Sequence, residues 1–230
     1  MDERKRLILN IIIQEHIGSG QPVASSAVVE KYALDISPAT VRNEMAELEA
    51  AGWIAQPYTS AGRVPTEQAY NLYVSELEQK PLSKKEEALF SEETDDEQSS
   101  KHIAKKLAHV SNLAVIWAFH RNHVYYTGLS NLLQQPEFNQ PALVYDISAI
   151  IDRVDEIVSD IFETVDFKPR ILIGQQSPFG SFSGSILSRY KGHEHTGLIG
   201  LIGPVRMDYE KNLARVSYLI NKLTANWNNN

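Results

Sequence analysis

Ser37-Pro-Ala-Thr-Val-Arg-Asn-Glu-Met-Ala-Glu-Leu48 is the stretch on which the reading of this chain turns. A serine followed by proline marks a helix start. The hydroxyl can accept an N–H of the first turn, and proline at the first helical position gives up an N–H that would be unpaired anyway. Val41, Met45 and Leu48 then recur at helical spacing and form one apolar face. Ala39, Thr40, Arg42 and Asn43 are left outside it near the N-terminal end, and Gly52 stops the helix. Upstream, Leu7, Ile8, Ile11, Ile12 and Ile17 predict a helix over residues 4–17, ended by Gly18-Ser19-Gly20. Pro22 to Ala24 reads as a short extended connector. Ser25 or Ser26 caps a second helix that buries Ala27, Val28 and Tyr32. Three helices joined by such short turns make a helix-turn-helix arrangement, whose last helix offers its N-terminal residues to a DNA major groove. Downstream, Trp53 to Tyr58 has β character, Thr59-Ser60-Ala61-Gly62 is a turn, and Arg63-Val64 returns. Pro65-Thr66 then opens a helix through Tyr70, Tyr73 and Leu77. A hairpin after a recognition helix is a wing, so residues 1–80 are expected to be a winged helix-turn-helix domain.

The composition narrows the rest. A chain of 230 residues at 43% hydrophobic content can hold two modest cores. There is no cysteine, which excludes disulfides, thiolate metal sites and a cysteine nucleophile and fits a reducing cytoplasm. The charged start, Met1 to Arg6, precedes an apolar run broken by Asn10, so no signal peptide is expected. Nor is a membrane span, which would need about 18 consecutive apolar residues. The net charge of −7 speaks against nonspecific coating of nucleic acid. Even residues 1–80 carry 7 Lys+Arg against 11 Asp+Glu. A specific reader can nevertheless gather a few cations on one helix and one wing while its acids occupy other faces.

Residues 81–101 are rich in Lys and Glu and run into Glu92-Glu-Thr-Asp-Asp-Glu97, a linker with at most one frail helix. From residue 102 the pattern is globular again. A helix over 103–110 precedes a hairpin of Leu113–Phe119 and Val124–Leu129. Ile147, Ile150, Ile151, Val154, Ile157, Val158, Ile161 and Phe162 predict one amphipathic helix. Strands are expected at Ile171–Ile173, Ser185–Tyr190 and Leu198–Ile202, and a closing helix from Asp208 to Leu223. The fold class is α+β.

Tyr58-Thr-Ser-Ala-Gly-Arg-Val-Pro-Thr66, directly after the helix-turn-helix, resembles a motif of the HrcA family of heat-inducible transcription repressors. Ser37 to Leu48 looks like that family's recognition helix. Asn131-Leu-Leu-Gln-Gln-Pro-Glu-Phe138 resembles its central motif, and Ile202-Gly-Pro-Val-Arg-Met-Asp-Tyr209 its C-terminal signature. The four segments stand in the family's order across nearly the whole chain. The resemblance implies a winged-helix domain plus a GAF-like regulatory and dimerisation domain over 102–230. It implies repression of chaperone (heat-shock) operons through an inverted-repeat operator in double-stranded DNA. It also implies a GroEL-type chaperonin that promotes the active state. A homodimer is expected, and no cofactor and no metal. Members are usually longer, with an insertion in the GAF-like domain associated with dimerisation. The segment from Gly174 to Gly197 is too short to hold it, so a short form is expected.

The expected DNA-binding residues are Ser37, Ala39, Thr40, Arg42 and Asn43 on the helix, with Tyr58, Thr59, Ser60, Gly62 and Arg63 on the wing. Arg42 can fork onto guanine and Asn43 can pair with adenine. The plainer alternatives for Arg42 are a phosphate contact or a pair with Glu44 or Glu47. Ser37 reads first as a cap. Arg63, at the tip or return of the wing, can reach phosphate or the minor groove, and Gly62 lets backbone N–H groups approach phosphate; the bland reading is ordinary turn chemistry. Tyr58 is either a wing-packing residue or a phosphate donor.

Elsewhere, Asp208 is read as a cap and Arg206 as a salt bridge holding the strand-to-helix junction. Asn131, Gln135 and Glu137 are either the rim of an effector pocket or a normal connection. Catalysis is not expected. Gly180-Ser-Phe-Ser-Gly184 lacks serine where a nucleophile elbow needs it. Gly197, Gly200 and Gly203 match no phosphate-binding fingerprint. His193-Glu-His195, and His120 with His123, are weak metal motifs that read better as polar turns. The runner-up function is a small-molecule-responsive winged-helix regulator, whose sign would be an apolar pocket ringed by convergent polar groups.

Overall fold

A computed structural model describes residues 1–33, 35–92, 96–138, 141–192 and 195–228, the side chains of 142 and 226–228 excepted. The chain divides into two compact units, Met1–Leu77 and Glu78–Asn230. No helix among the described residues is long and apolar enough to cross a membrane.

The first unit begins with α1, Glu3–Ser19, whose first turn is capped by the Asp2 carboxylate accepting Lys5 N at 2.9 Å. α2 (Ser25–Tyr32) and α3 (Pro38–Ala50) follow. Then come two short strands, β1 (Ile54–Ala55) and β2 (Val64–Pro65), and α4 (Glu67–Ser75), capped by Thr66. Ile8, Leu9, Ile12, Ile13, Val28, Val41, Met45, Leu48, Ile54 and Tyr70 are buried and form its core. Some sequence expectations shift here. Leu7 is half exposed, and α1 buries Leu9 and Ile13 in its place. α2 is rotated from the expected phase: Ser25 and Val28 face inward while Ala27 and Tyr32 face out. Tyr32 instead donates its hydroxyl to Glu15 at 2.9 Å. Neither Ser25 nor Ser26 caps α2, because Ala24 is the capping residue and has no side chain able to do so.

The second unit holds an antiparallel five-stranded sheet in the order β4-β3-β7-β6-β5. Its strands are β3 (Ala114–His120), β4 (His123–Thr127), β5 (Arg170–Ile173), β6 (Ser183–Lys191) and β7 (Thr196–Pro204). Its helices are α5 (Lys84–Leu89), α6 (Glu97–Ser111), α7 (Leu129–Leu133), α8 (Pro141–Asp152), α9 (Val154–Ile161) and α10 (Tyr209–Asn228). Side chains alternate between the faces of a strand. Ala114, Ile116 and Ala118 therefore join one core with Leu132, Phe138, Ile147, Val154 and Val158, and Val115 and Trp117 turn the other way. All five are buried. Trp117 Nε1 donates to the buried Tyr190 hydroxyl at 2.8 Å, and burial pushes that phenol up to about 12. Gly197, opposite Tyr190 in the β6–β7 register, is fixed by this ring, since a Cβ there would run into it.

Two expectations are corrected in this unit. The single helix predicted over 147–162 is two, broken at Arg153, whose backbone at φ −116° and ψ 13° leaves the helical region. The predicted linker is largely part of the second unit. α5 lies in it, Phe90 is fully buried, and Arg215 reaches from α10 to Glu86 at 2.9 Å. Lys222 donates to the Phe90 carbonyl at 2.5 Å. Of the acidic run, 93–95 lie outside the described residues.

Candidate nucleic-acid interface

α3 starts as its sequence dictates. Ser37 Oγ accepts Thr40 N at 3.1 Å and lies 3.0 Å from the Thr40 hydroxyl, and Pro38 occupies the first turn. With Val41, Met45 and Leu48 buried, Ser37, Ala39, Arg42 and Asn43 are exposed and Thr40 is half-buried. The helix therefore presents a polar N-terminal ridge to solvent. Arg42 makes no hydrogen bond or ion pair among the described residues, so the alternative in which it pairs with Glu44 or Glu47 does not hold. Those acids face α1: Glu44 lies 3.3 Å from Arg4, and Glu47 lies 2.9 Å from Lys5.

The other end of α3 is tied off by a paired C-cap. Gly52, at φ +79°, donates to the Glu49 carbonyl at 2.9 Å, and Trp53 N donates to the Leu48 carbonyl at 2.9 Å. This is the left-handed termination that favours glycine. It delivers the chain into a two-stranded ribbon with Ile54 opposite Pro65 and Ala55 opposite Val64. Val23 adds a third rung: Val23 N donates to the Arg63 carbonyl at 2.8 Å, and Arg63 N to the Val23 carbonyl at 2.9 Å.

The ribbon residues divide into two groups. Tyr58, Thr59 and Ser60 are at the exposed tip, with Tyr58 66% exposed, which removes the wing-packing reading of its ring. Ser60 sits at φ +67°, and Ala61 N closes the turn on the Tyr58 carbonyl at 3.0 Å. Gly62 and Arg63 are half-buried on the returning arm, at the base of the ribbon. A Cβ on Gly62 would stand 2.8 Å from Val23 N and closer still to the Val23 carbonyl, so glycine is required there by packing against Val23. Gly62→Ala is accordingly expected to cost the first unit about 1–3 kcal/mol, as overpacking does. A thermal melt with an unchanged midpoint would contradict this. Arg63 is neither at the tip nor free. Its Nε and Nη2 donate to Glu49 Oε2 at 3.0 and 2.8 Å, and its side chain is 20% exposed. Glu49 was not legible as a site residue. The one signal was its spacing from Arg63 across a predicted turn, which no local rule reads.

In the second unit the two polar motifs meet. Arg206 donates to Gln135 Oε1 at 3.0 Å and to both carboxylate oxygens of Glu137. Asn131 Nδ2 donates to the carbonyls of Ala108 and Leu113 at 2.9 and 3.3 Å. Asp208 accepts Lys211 N at 3.1 Å as the expected cap. A cavity of about 30 Å³ lies between the sheet and α8, lined by Ile116, Leu129, Ile150, Val154, Phe179 and other apolar residues. That is room for about one water, and it lacks the ring of polar groups a small-molecule sensor would show. The His120 and His123 rings are 5.4 Å apart and His195 is 5.7 Å from His120, while His193 and Glu194 lie outside the described residues. No group of three His, Asp or Glu side chains among the described residues is set to hold a metal ion. Ser183 is buried and bonded to Ser177 at 2.7 Å.

Residues 41–213 match the family described as HrcA protein C terminal domain. The chain belongs to the HrcA family. Among its HrcA relatives, a heat-inducible transcription repressor of Thermobifida fusca is 40% identical over 124 residues, 52% of this chain and 36% of that protein. The protein of the same name from Carboxydothermus hydrogenoformans is 51% identical over 90 residues, 39% of this chain and 26% of that one. The matches thus span about a third or less of these relatives' own lengths. A crystal structure of a hypothetical protein at 2.2 Å resolution is similar across 100% of this chain and 99% of that one, with a TM-score of 0.80 at 17% identity. At that identity the likeness speaks to the fold alone.

Proposed function

We propose that this HrcA-family chain is a sequence-specific DNA-binding repressor of heat-shock (chaperone) operons, active as a homodimer in the cytoplasm. In this reading the first unit is a winged helix-turn-helix domain, with α2 and α3 as the helix-turn-helix and the 54–65 ribbon as the wing. The second unit is a GAF-like regulatory domain, whose strands, counted along the chain, run second-first-fifth-fourth-third across the sheet. Ser37, Ala39, Thr40, Arg42 and Asn43 meet the major groove, and Tyr58, Thr59 and Ser60 meet the adjacent backbone or minor groove. A two-fold dimer then requires an inverted repeat. The GroEL-type chaperonin is the expected partner that favours the active state.

The observation that carries this reading is the polarity of α3. Arg42 and Asn43 are exposed and have no side-chain hydrogen-bond or ion-pair partner among the described residues, while Glu44 and Glu47 are held by Arg4 and Lys5 on α1. These two acids of α3 are thereby drawn toward α1 and away from the proposed DNA face.

The test is fluorescence anisotropy of the protein against an inverted-repeat operator from a chaperone promoter and a scrambled duplex, at two salt concentrations. Operator-selective binding that weakens steeply with salt is expected. Equal, weak binding to both duplexes would reject sequence-specific repression by the chain on its own.

A further inference from the structure

Glu49 is the acid of α3 that reaches the ribbon. Its Oε1 accepts the backbone N of Gln56 at 3.1 Å, and its Oε2 accepts Arg63 Nε and Nη2 at 3.0 and 2.8 Å. One carboxylate at the end of the helix thus holds residues on both arms of the hairpin. The neighbouring contacts close the same joint. Gln56 Nε2 donates to the Ala61 carbonyl at 3.1 Å, and Thr66 Oγ1 donates to the Gly52 and Trp53 carbonyls at 2.8 and 3.1 Å. The pair is only partly exposed, 34% for Glu49 and 20% for Arg63, so it is shielded from much of the solvent that weakens surface pairs. Two guanidinium donors on one oxygen fix direction as well as distance.

We propose that Glu49 is a positioning residue for DNA recognition. Its carboxylate sets the angle between α3 and the ribbon, and it holds Arg63 away from the phosphates, so that helix and ribbon tip engage one duplex geometry. This rests on the DNA-binding reading above and adds to it: Arg63 serves recognition through Glu49 and does not touch DNA. Physically, an acid near a phosphate backbone costs affinity. Glu49 escapes that cost because it is neutralised from within the fold, and what it returns is rigidity where the helix meets the ribbon.

The experiment measures operator and scrambled-duplex binding across a salt series for the full chain and for Glu49→Gln, Arg63→Gln and the double variant. Glu49→Gln keeps an acceptor for Gln56 N but frees the Arg63 charge. The operator-over-scrambled ratio is expected to fall about tenfold, the loss of one charge-assisted contact. Scrambled-duplex binding should strengthen, and its salt slope should steepen by about 0.9, the signature of one added phosphate contact. The double variant should restore the slope. Arg63→Gln breaks the joint from the other side and should lower the ratio with the slope unchanged; it also keeps the inference testable if Glu49→Gln fails to fold. A purely structural role would weaken both duplexes alike with no change of slope, and would overturn the proposal. So would a slope that flattens by about 0.9 in Arg63→Gln, because Arg63 would then be the phosphate contact itself. Wild-type protein with no operator preference would sink the parent reading, and this inference with it.

Discussion

Arg42→Ala should weaken operator binding by about ten- to a hundredfold, the equivalent of roughly 1–3 kcal/mol for a lost bidentate base contact, and leave the thermal midpoint where it was. The expectation of unchanged stability comes from the geometry. Arg42 is exposed and has no hydrogen-bond or ion-pair partner among the described residues, so its truncation falls in the class of surface changes worth about 0.5 kcal/mol or less. Neighbouring Glu44 and Glu47 do not depend on it, because Arg4 and Lys5 hold them. The scrambled duplex separates the two ways in which Arg42 can act. If it reads a base, the loss is confined to the operator. If it rests on phosphate, both duplexes lose affinity and the salt slope falls by about 0.9. Asn43→Ala should behave as the base-reading case. Operator affinity within twofold of wild type for Arg42→Ala would show that α3 is not the recognition helix.

What the sequence disclosed was chiefly local. The Ser37 cap, Pro38, the apolar phase of Val41, Met45 and Leu48, and the stop at Gly52 all act over a few residues, and each has its counterpart in α3. Pairings that join distant segments were not legible. Residues 81–101 read as solvated because they are charged, yet Glu86 is matched by Arg215 on α10, and Phe90 is buried. Composition cannot show a partner 129 positions away. The same holds at the ribbon. The local turn chemistry of Ser60, Ala61 and Gly62 is compatible with a phosphate cradle, but the position of Arg63 is set by Glu49 from the preceding helix. The phase error in α2 has a different cause. With Ser25 buried beside Val28 and Tyr32 bonded outward to Glu15, the short helix buries a polar residue that an apolar pattern does not read. The unbroken apolar series from Ile147 to Phe162 had the opposite defect, since it continues through a backbone break that periodicity does not register.

Arg206→Ala should destabilise the second unit by about 2–4 kcal/mol, because it strips the partner from a shielded carboxylate instead of removing both members of the pair. The Arg206 side chain is 13% exposed and that of Glu137 31%, and Gln135 would lose its donor as well. The expected fall in midpoint is roughly 5–10 °C for a unit of this size. Arg206→Lys should recover little, since an ammonium cannot reproduce the fork that spans Glu137 and Gln135. Arg206→Ala combined with Glu137→Ala should cost less than the sum of the two single changes, as for directly coupled residues. The result also chooses between the two readings of these polar motifs. A brace between the 131–138 segment and the strand-to-helix junction at Pro204–Asp208 must show in the melt. A handle reserved for an effector need not, and a midpoint shift below about 1 °C for Arg206→Ala would favour the handle, because a brace of this burial cannot be removed at so small a cost.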